Sequence, residues 1–363
     1  MSARQVAEFK ARFGADRKVL FNQAMEGGLR TSSLRGLSWR FFLGSVSGPS
    51  ATWPAQFEKE REEYAALCQT HCIDPSIASD GLDLDVANPL SVDATSPWSA
   101  YFESGPLRED IQKDLRRLQP GVEFFARADV QGAMLTILFV WASSNPEIAY
   151  RQGMHELLAP LVQVTWEEAE EAAAAAATAA SDAAPTAFFS TPDSELESLV
   201  RSLLRKDSVE ASCWAVFCKL MHSMRPWFES GSRLVTTGAA NEMQTSPLLL
   251  TCAHIHGSLL ASTDPALHTR LTRLEIEPQL YLLRWLRLLF GREFHPEDVK
   301  VIWDAIFAYG YEKGSTSLTL CSYFCVAMLL YVRETLMVAD FTGCVKRLHK
   351  HAEITVGLVS RRG

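Results

Sequence analysis

Apolar residues recur at three- and four-residue spacing through nearly every segment of this chain that shows a clear period. No hairpin signal such as Asn-Gly between alternating apolar residues interrupts them. Each segment then has one stripe to bury, and other helices are what can cover it. The expected class is all-α. At 363 residues the chain is long enough for two average domains or one large helical one, and a single two-lobed helical domain satisfies both.

Punctuation divides the chain. Residues 4–27 predict an amphipathic helix pair, and 37–44 begins a helix that stops near Gly48-Pro49. Pro54 opens a charged helix ending before Pro75. Residues 76–100 are polar and proline-punctuated, longer than most connections in compact domains, and predict a strap over the surface. A helix from Leu107 carries Ile111, Asp114, Leu115 and Leu118 towards Pro120, which it cannot easily pass. Val130 to Ser144 predicts an apolar helix broken at Pro146, and the next begins just after Gln152. Residues 167–206 break composition with an alanine-rich run. Alanine favours helix but buries little, so a solvated helical extension and flexible loop are expected there, as an insertion. Val209 to Phe228 resumes core helix, 235–247 predicts a second loop, and 248–350 supplies a C-terminal lobe.

Composition excludes several classes. A net charge of −8 argues against nucleic acid or an anionic membrane surface as partner, since both demand a basic patch. Eight scattered cysteines and an N-terminus without an apolar core point to a reducing, cytosolic setting. The longest apolar stretch, 318–332, falls short of the ~20 residues that span a bilayer, so no membrane span is expected. Cys252, His254 and His256, like Cys68, His71 and Cys72, do not repeat the paired pattern of a zinc site, and no metal is expected. No glycine-rich cradle followed by lysine appears, so the chain itself should hold no nucleotide.

Two short stretches remain, IQKDLRRLQP at 111–120 and YRQGM at 150–154. Hydrolysing a nucleotide γ-phosphate asks for charge neutralisation and a positioned water. Arginine, rigid, multidentate and always charged, suits the first task, and a neutral amide that both donates and accepts suits the second. Taken alone, Arg116-Arg117 at a helix end is more often a dipole-compensating surface pair, and Gln152-Gly153 more often a turn.

Together, however, these residues resemble the TBC family of Rab GTPase-activating proteins. Its first finger motif corresponds to Ile111, Asp114 and Arg117, and its second to Tyr150, Gln152 and Gly153. A later block is similar through Pro278, Gln279, Arg284, Trp285, Leu289, Phe290, Arg292, Glu293 and Phe294, then Ile302, Trp303 and Asp304. An entry segment resembles the family at Leu34, Arg35, Gly36, Trp39 and Leu43, so the resemblance covers roughly residues 28–340. The strings NPLSVD at 88–93, YRQGMHELLAP at 150–160 and RLEIEPQLYLLRWLRLLFGREF at 273–294 resemble the branch typified by TBC domain family member five.

The resemblance implies a two-lobed helical TBC domain with a groove between its lobes. Its expected limits are a helical lead-in at 1–27, a domain at 28–350 divided into lobes at 28–206 and 207–350, and a tail at 351–363. It implies a regulator that is no enzyme by itself. Such a regulator binds a Rab small GTPase in its GTP state and supplies Arg117 and Gln152 in trans as catalytic fingers. Asp114, Tyr150, Arg151 and Gly153 are expected to support them or meet the Rab: Asp114 by holding the Arg117 guanidinium, Tyr150 by packing under the loop, and Gly153 by allowing close approach of the GTPase backbone. No cofactor of its own is implied, because GTP and Mg²⁺ arrive with the Rab. The branch further implies peripheral recruitment to endomembranes and an endosomal coat or sorting complex as a partner. The alternative is a Rab effector, or an endosomal adaptor or scaffold, that binds without activating hydrolysis. Two departures from the family pattern stand out. Leu118 occupies a position commonly threonine, and Ser212 one commonly aspartate.

Overall fold

Helices carry the chain in the computed structural model, which describes residues 2–14, 17–73, 75, 97–181, 192–229, 233–235, 243–314 and 317–350. They are α1 Ala3–Phe13, α2 Arg17–Met25, α3 Arg35–Phe42, α4 Trp53–His71, α5 Pro97–Leu115, α6 Glu123–Ala126, α7 Ala128–Ser144, α8 Met154–Ser181, α9 Pro192–Leu203 and α10 Val209–Phe228. After a short antiparallel ladder, β1 Arg233–Val235 with β2 Met243–Thr245, come α11 Pro247–His254, a π-helical turn Ile255–Leu260, and α12 Ala261–Thr263. The remaining helices are α13 Pro265–Arg273, α14 Gln279–Arg287, α15 Pro296–Glu312, α16 Thr319–Tyr331, α17 Arg333–Val338 and α18 Phe341–Leu348. The all-α class holds apart from that ladder, which lies where a loop is expected. Three-residue strands are too short to show alternation in sequence. NPLSVD, most of the predicted strap and the 351–363 tail lie outside the described residues. The strap's last residues belong to α5, which begins ten residues before Leu107. Among the described residues no helix is long and apolar enough to cross a membrane.

The chain divides into two compact units, residues 1–2 with 51–218, and residues 3–50 with 219–363. In this division 28–50 goes with the C-terminal part, and the boundary falls inside α10 rather than at the expected 206/207. The reason is visible in α3, every residue of which is buried. Trp39 Nε1 donates to Asp304 Oδ1 at 2.7 Å, and Arg35 lies 3.2 Å from Asp304 Oδ2. The Trp39 ring packs on Trp303 and Phe307 at centroid distances of 5.6 Å each. The lead-in is likewise core, since Phe9, Leu20 and Ala24 are buried.

Motif residues of the later block also build this second unit. Arg284 grips buried Glu293 through two bonds of 2.7 and 2.8 Å, and Trp303 Nε1 donates to the Leu289 carbonyl at 2.8 Å. Leu289 and Phe290 adopt positive φ of 42° and 65°, a conformation costly for such residues unless packing enforces it. Trp285, Trp303 and Phe290 are fully buried, so they are core rather than a ligand cage.

In the first unit, apolar α7 packs against α5 and α8. Val130, Ile137, Leu138 and Val140 of α7 meet a core shared with Ile111 and Leu115 of α5 and Met154, Leu157 and Leu161 of α8, all buried. The alanine-rich run continues α8 without a break to Ser181. Ala169 and Ala172 are buried, as are Val200 and Leu203 of α9, so this stretch adds core as well as solvated surface. Small side chains let the helix sit close to its neighbours. The Tyr64 hydroxyl donates to Glu210, and its ring lies 5.3 Å from that of Trp214, fastening α4 to α10 beside Ser212.

Burial pushes the Asp304 carboxyl up to about 7, against the pull of Arg35 and the Trp39 bond. An unfolded aspartate titrates near ~4, so between about pH 4 and pH 7 the native state holds a proton that the unfolded state has lost, and stability falls as pH rises through that window. Urea unfolding from pH 4 to 8 should show this decline in the wild-type protein. Asp304→Asn should flatten it.

Candidate functional site

α5 ends by tightening. Arg116 N–H still bonds Gln112 O four residues back, but Arg117 N–H and Leu118 N–H bond Asp114 O and Leu115 O, three residues back, each at 3.1 Å. Gln119 at φ 39° and Gly121 at φ 96° then turn the chain away beside Pro120. Leu115 and Leu118 point into the core while Arg116 and Arg117 are exposed. The leucine that replaces the commonly expected threonine therefore anchors the turn by burial. A cation at a helix C-terminus is favoured by the helix dipole. Among the described residues the Arg117 side chain has no hydrogen bond or ion pair, which leaves its guanidinium open to a partner. From α7, Gln131 Nε2 donates to the carbonyls of Leu115 at 3.3 Å and Phe125 at 2.7 Å, holding the end of α5 in place.

The second segment links α7 to α8. Asn145 O accepts Ile148 N–H at 3.1 Å and Ala149 N–H at 2.8 Å, and Ala149 turns the chain at φ 56°. Gly153 at φ 103° aims its carbonyl at Glu156 and Leu157 N–H groups, which starts α8. Only glycine takes that backbone conformation without strain. It is buried, so what it contributes is conformation rather than an open surface for another backbone. Arg151 and Gln152 between them are exposed.

One polar contact joins the two segments. The Tyr150 hydroxyl donates to Asp114 Oδ2 at 2.8 Å, placing the tyrosine two residues before Gln152 against the aspartate three residues before Arg117. Burial, then the bond to Asp114, pushes the phenol's proton affinity well above its ordinary value, so it stays a donor at any biological pH. Asp114 was expected to hold the Arg117 guanidinium. Its half-buried carboxylate instead faces Tyr150 and the imidazole of His155, whose Nδ1 lies 3.0 Å from Tyr150 Oη and 3.5 Å from Asp114 Oδ2. A partner inside the fold satisfies a half-buried carboxylate better than an arginine that water can already solvate.

The six sequence-predicted residues thus lie on two adjoining backbone segments of one unit. Arg117, Gln152 and Arg151 are presented outward, while Asp114, Tyr150 and Gly153 form the frame. Sequence reasoning missed Gln131 and His155. Gln131 carries no motif, and His155 falls within a matched string without its histidine being distinguished.

A family model described as the Rab-GTPase-TBC domain matches residues 99–337. Human TBC1 domain family member 5 is 34% identical over 336 residues, covering 89% of this chain and 40% of that protein. Its Dictyostelium discoideum homolog B is 29% identical, covering 93% of this chain and 40% of the relative. The chain therefore spans 40% of the length of these two relatives. Human TBC1 domain family member 13 is 26% identical, covering 87% of this chain and 84% of that protein. Among solved structures, the Ypt/Rab-GAP domain of Gyp1p shares the fold, with a TM-score of 0.67 at 17% identity, covering 99% of this chain and 95% of the other. With its two motif segments set side by side on a helical frame and a family model covering most of its length, this chain belongs to the RabGAP-TBC family.

Proposed function

We propose that this protein is a GTPase-activating protein that acts on a Rab small GTPase in its GTP state, supplying Arg117 and Gln152 in trans. The observation that carries this reading is the pairing of two exposed side chains of suitable chemistry on segments joined by the Tyr150–Asp114 hydrogen bond. Arg117 would meet the β- and γ-phosphate oxygens, where charge develops, and the Gln152 amide would orient the attacking water. GTP and Mg²⁺ belong to the Rab, so the protein is a regulator and no nucleotide enzyme of its own. It would act while recruited peripherally to endomembranes by its partners, among them an endosomal coat or sorting complex.

Single-turnover phosphate release from a panel of GTP-loaded Rabs tests this. An arginine finger contributes ~10³ to 10⁵ in rate. Arg117→Ala should abolish acceleration while leaving thermal unfolding unchanged, and Gln152→Ala should lose most turnover while retaining Rab affinity. Wild-type activity in Arg117→Ala would sink the assignment. A flat panel with detectable Rab binding would favour an effector or adaptor.

Tyr150→Phe keeps the ring but removes the donor to Asp114. Leaving a half-buried carboxylate short of a donor costs about 1.5–3 kcal/mol, readable in urea unfolding. Turnover should fall by more than that loss of folded protein explains, because the two segments would no longer share a tie.

A further inference from the structure

His155 lies in the first turn of α8 and is buried, yet its Nδ1 faces both motif segments. Nδ1 is 3.0 Å from Tyr150 Oη and 3.5 Å from Asp114 Oδ2, while Nε2 is 3.8 Å from Glu156 Oε1. The tautomer follows from counting protons. An ionised carboxylate only accepts, so the phenol gives Asp114 its one proton. The Tyr150 oxygen can then face Nδ1 at hydrogen-bond distance only as an acceptor, which places a proton on Nδ1. The chain of donation runs from Nδ1–H to Tyr150 oxygen, and from Tyr150 O–H to Asp114. Each donor polarises the next, so the phenol is a stronger donor with the imidazole in place than without it.

From this geometry we infer that His155 is a positioning residue for both fingers. It acts through its Nδ1–H, locking the Tyr150 hydroxyl onto Asp114 and so holding the 145–153 segment in register with the end of α5. It touches neither exposed finger. The hydroxyl of a lone tyrosine can rotate about its C–O bond and give its proton elsewhere, whereas one that already accepts from a fixed imidazole is held to the direction of Asp114. The kinetic part of this inference rests on the two-finger reading. The positional part does not.

Three substitutions separate the atoms. His155→Asn leaves an amide nitrogen near where Nδ1 stood, His155→Gln leaves one near Nε2, and His155→Phe keeps the ring's bulk with no donor. Each is compared with wild type for phosphate release from a GTP-loaded Rab, resolved into kcat and KM. Amide hydrogen exchange is followed at residues 116–118 and 148–154 of the free protein. A misplacement of about 1 Å costs about a hundredfold in rate. Asn should therefore stay within about threefold of wild type, while Gln and Phe should lose about thirtyfold or more in kcat with KM within about twofold. Exchange at both segments should accelerate about tenfold in Gln and Phe and stay near wild type in Asn.

Equal behaviour of the three variants, whether all active or all impaired, would show that His155 only fills space and would overturn the inference. So would a Gln variant that outperforms Asn. Loss of cooperative thermal unfolding in all three would do the same. If wild type accelerates no Rab, the proposed function fails, and the exchange pattern still decides the role of His155 by the same criteria.

Discussion

A single phenolic proton, passed from Tyr150 to Asp114 over 2.8 Å, holds together two stretches of chain that are 36 residues apart. In net free energy such a bond is modest, about 1.5–3 kcal/mol when one partner is charged. Its importance lies in direction. Packing brings helices within a fraction of an ångström of their places, but apolar contacts are nearly indifferent to small slides and rotations. A charge-assisted bond has a narrow range of distance and angle, so it selects one setting among many that the core tolerates. Gln131 and His155, reached from α7 and α8, tighten that setting from two further sides.

The same unit shows a division of labour between adjacent residues. Leu115 and Leu118 are buried on either side of exposed Arg116 and Arg117, and buried Gly153 and Met154 follow exposed Arg151 and Gln152. Each outward side chain is therefore carried by backbone whose neighbours are clamped in the core. This lets a long, soluble side chain be presented with much of its positional entropy already removed. The second unit reaches its order differently. Buried Asp304 gathers Trp39 and Arg35, and Glu293 receives a two-pronged arginine. These pairs specify which helix lies against which, at the cost of charges taken out of water.

Several elements were legible in the chain itself. α10 spans the predicted Val209 to Phe228, and α4 fills the charged helix between Pro54 and Pro75. The turn after Leu118 falls before Pro120 as the proline demands. The misses share a cause. Period alone tells which face of a helix is buried but not what covers it, so nothing at 28–50 announced that α3 would pack with α15. The alanine run looked too small to build core, yet Ala172 within it and Ala169 just before it do so where neighbours come close. The Tyr150–Asp114 bond was likewise unreadable, since Asp114 lies one turn from Arg117 in sequence and that nearer partner was the obvious one.

Sequence by itself determined the helical class, the family, and which two short segments carry the motif residues, because local periodicity and motif spacing are properties of consecutive residues. Tertiary structure alone decided what holds those segments. Asp114 turns from Arg117 to Tyr150, Gln131 reaches the end of α5, and the Nδ1 of His155 faces the phenol oxygen. The physical reason is that a half-buried polar group must find its partner from whatever the fold brings within about 3 Å, and sequence separation places no limit on where that partner comes from.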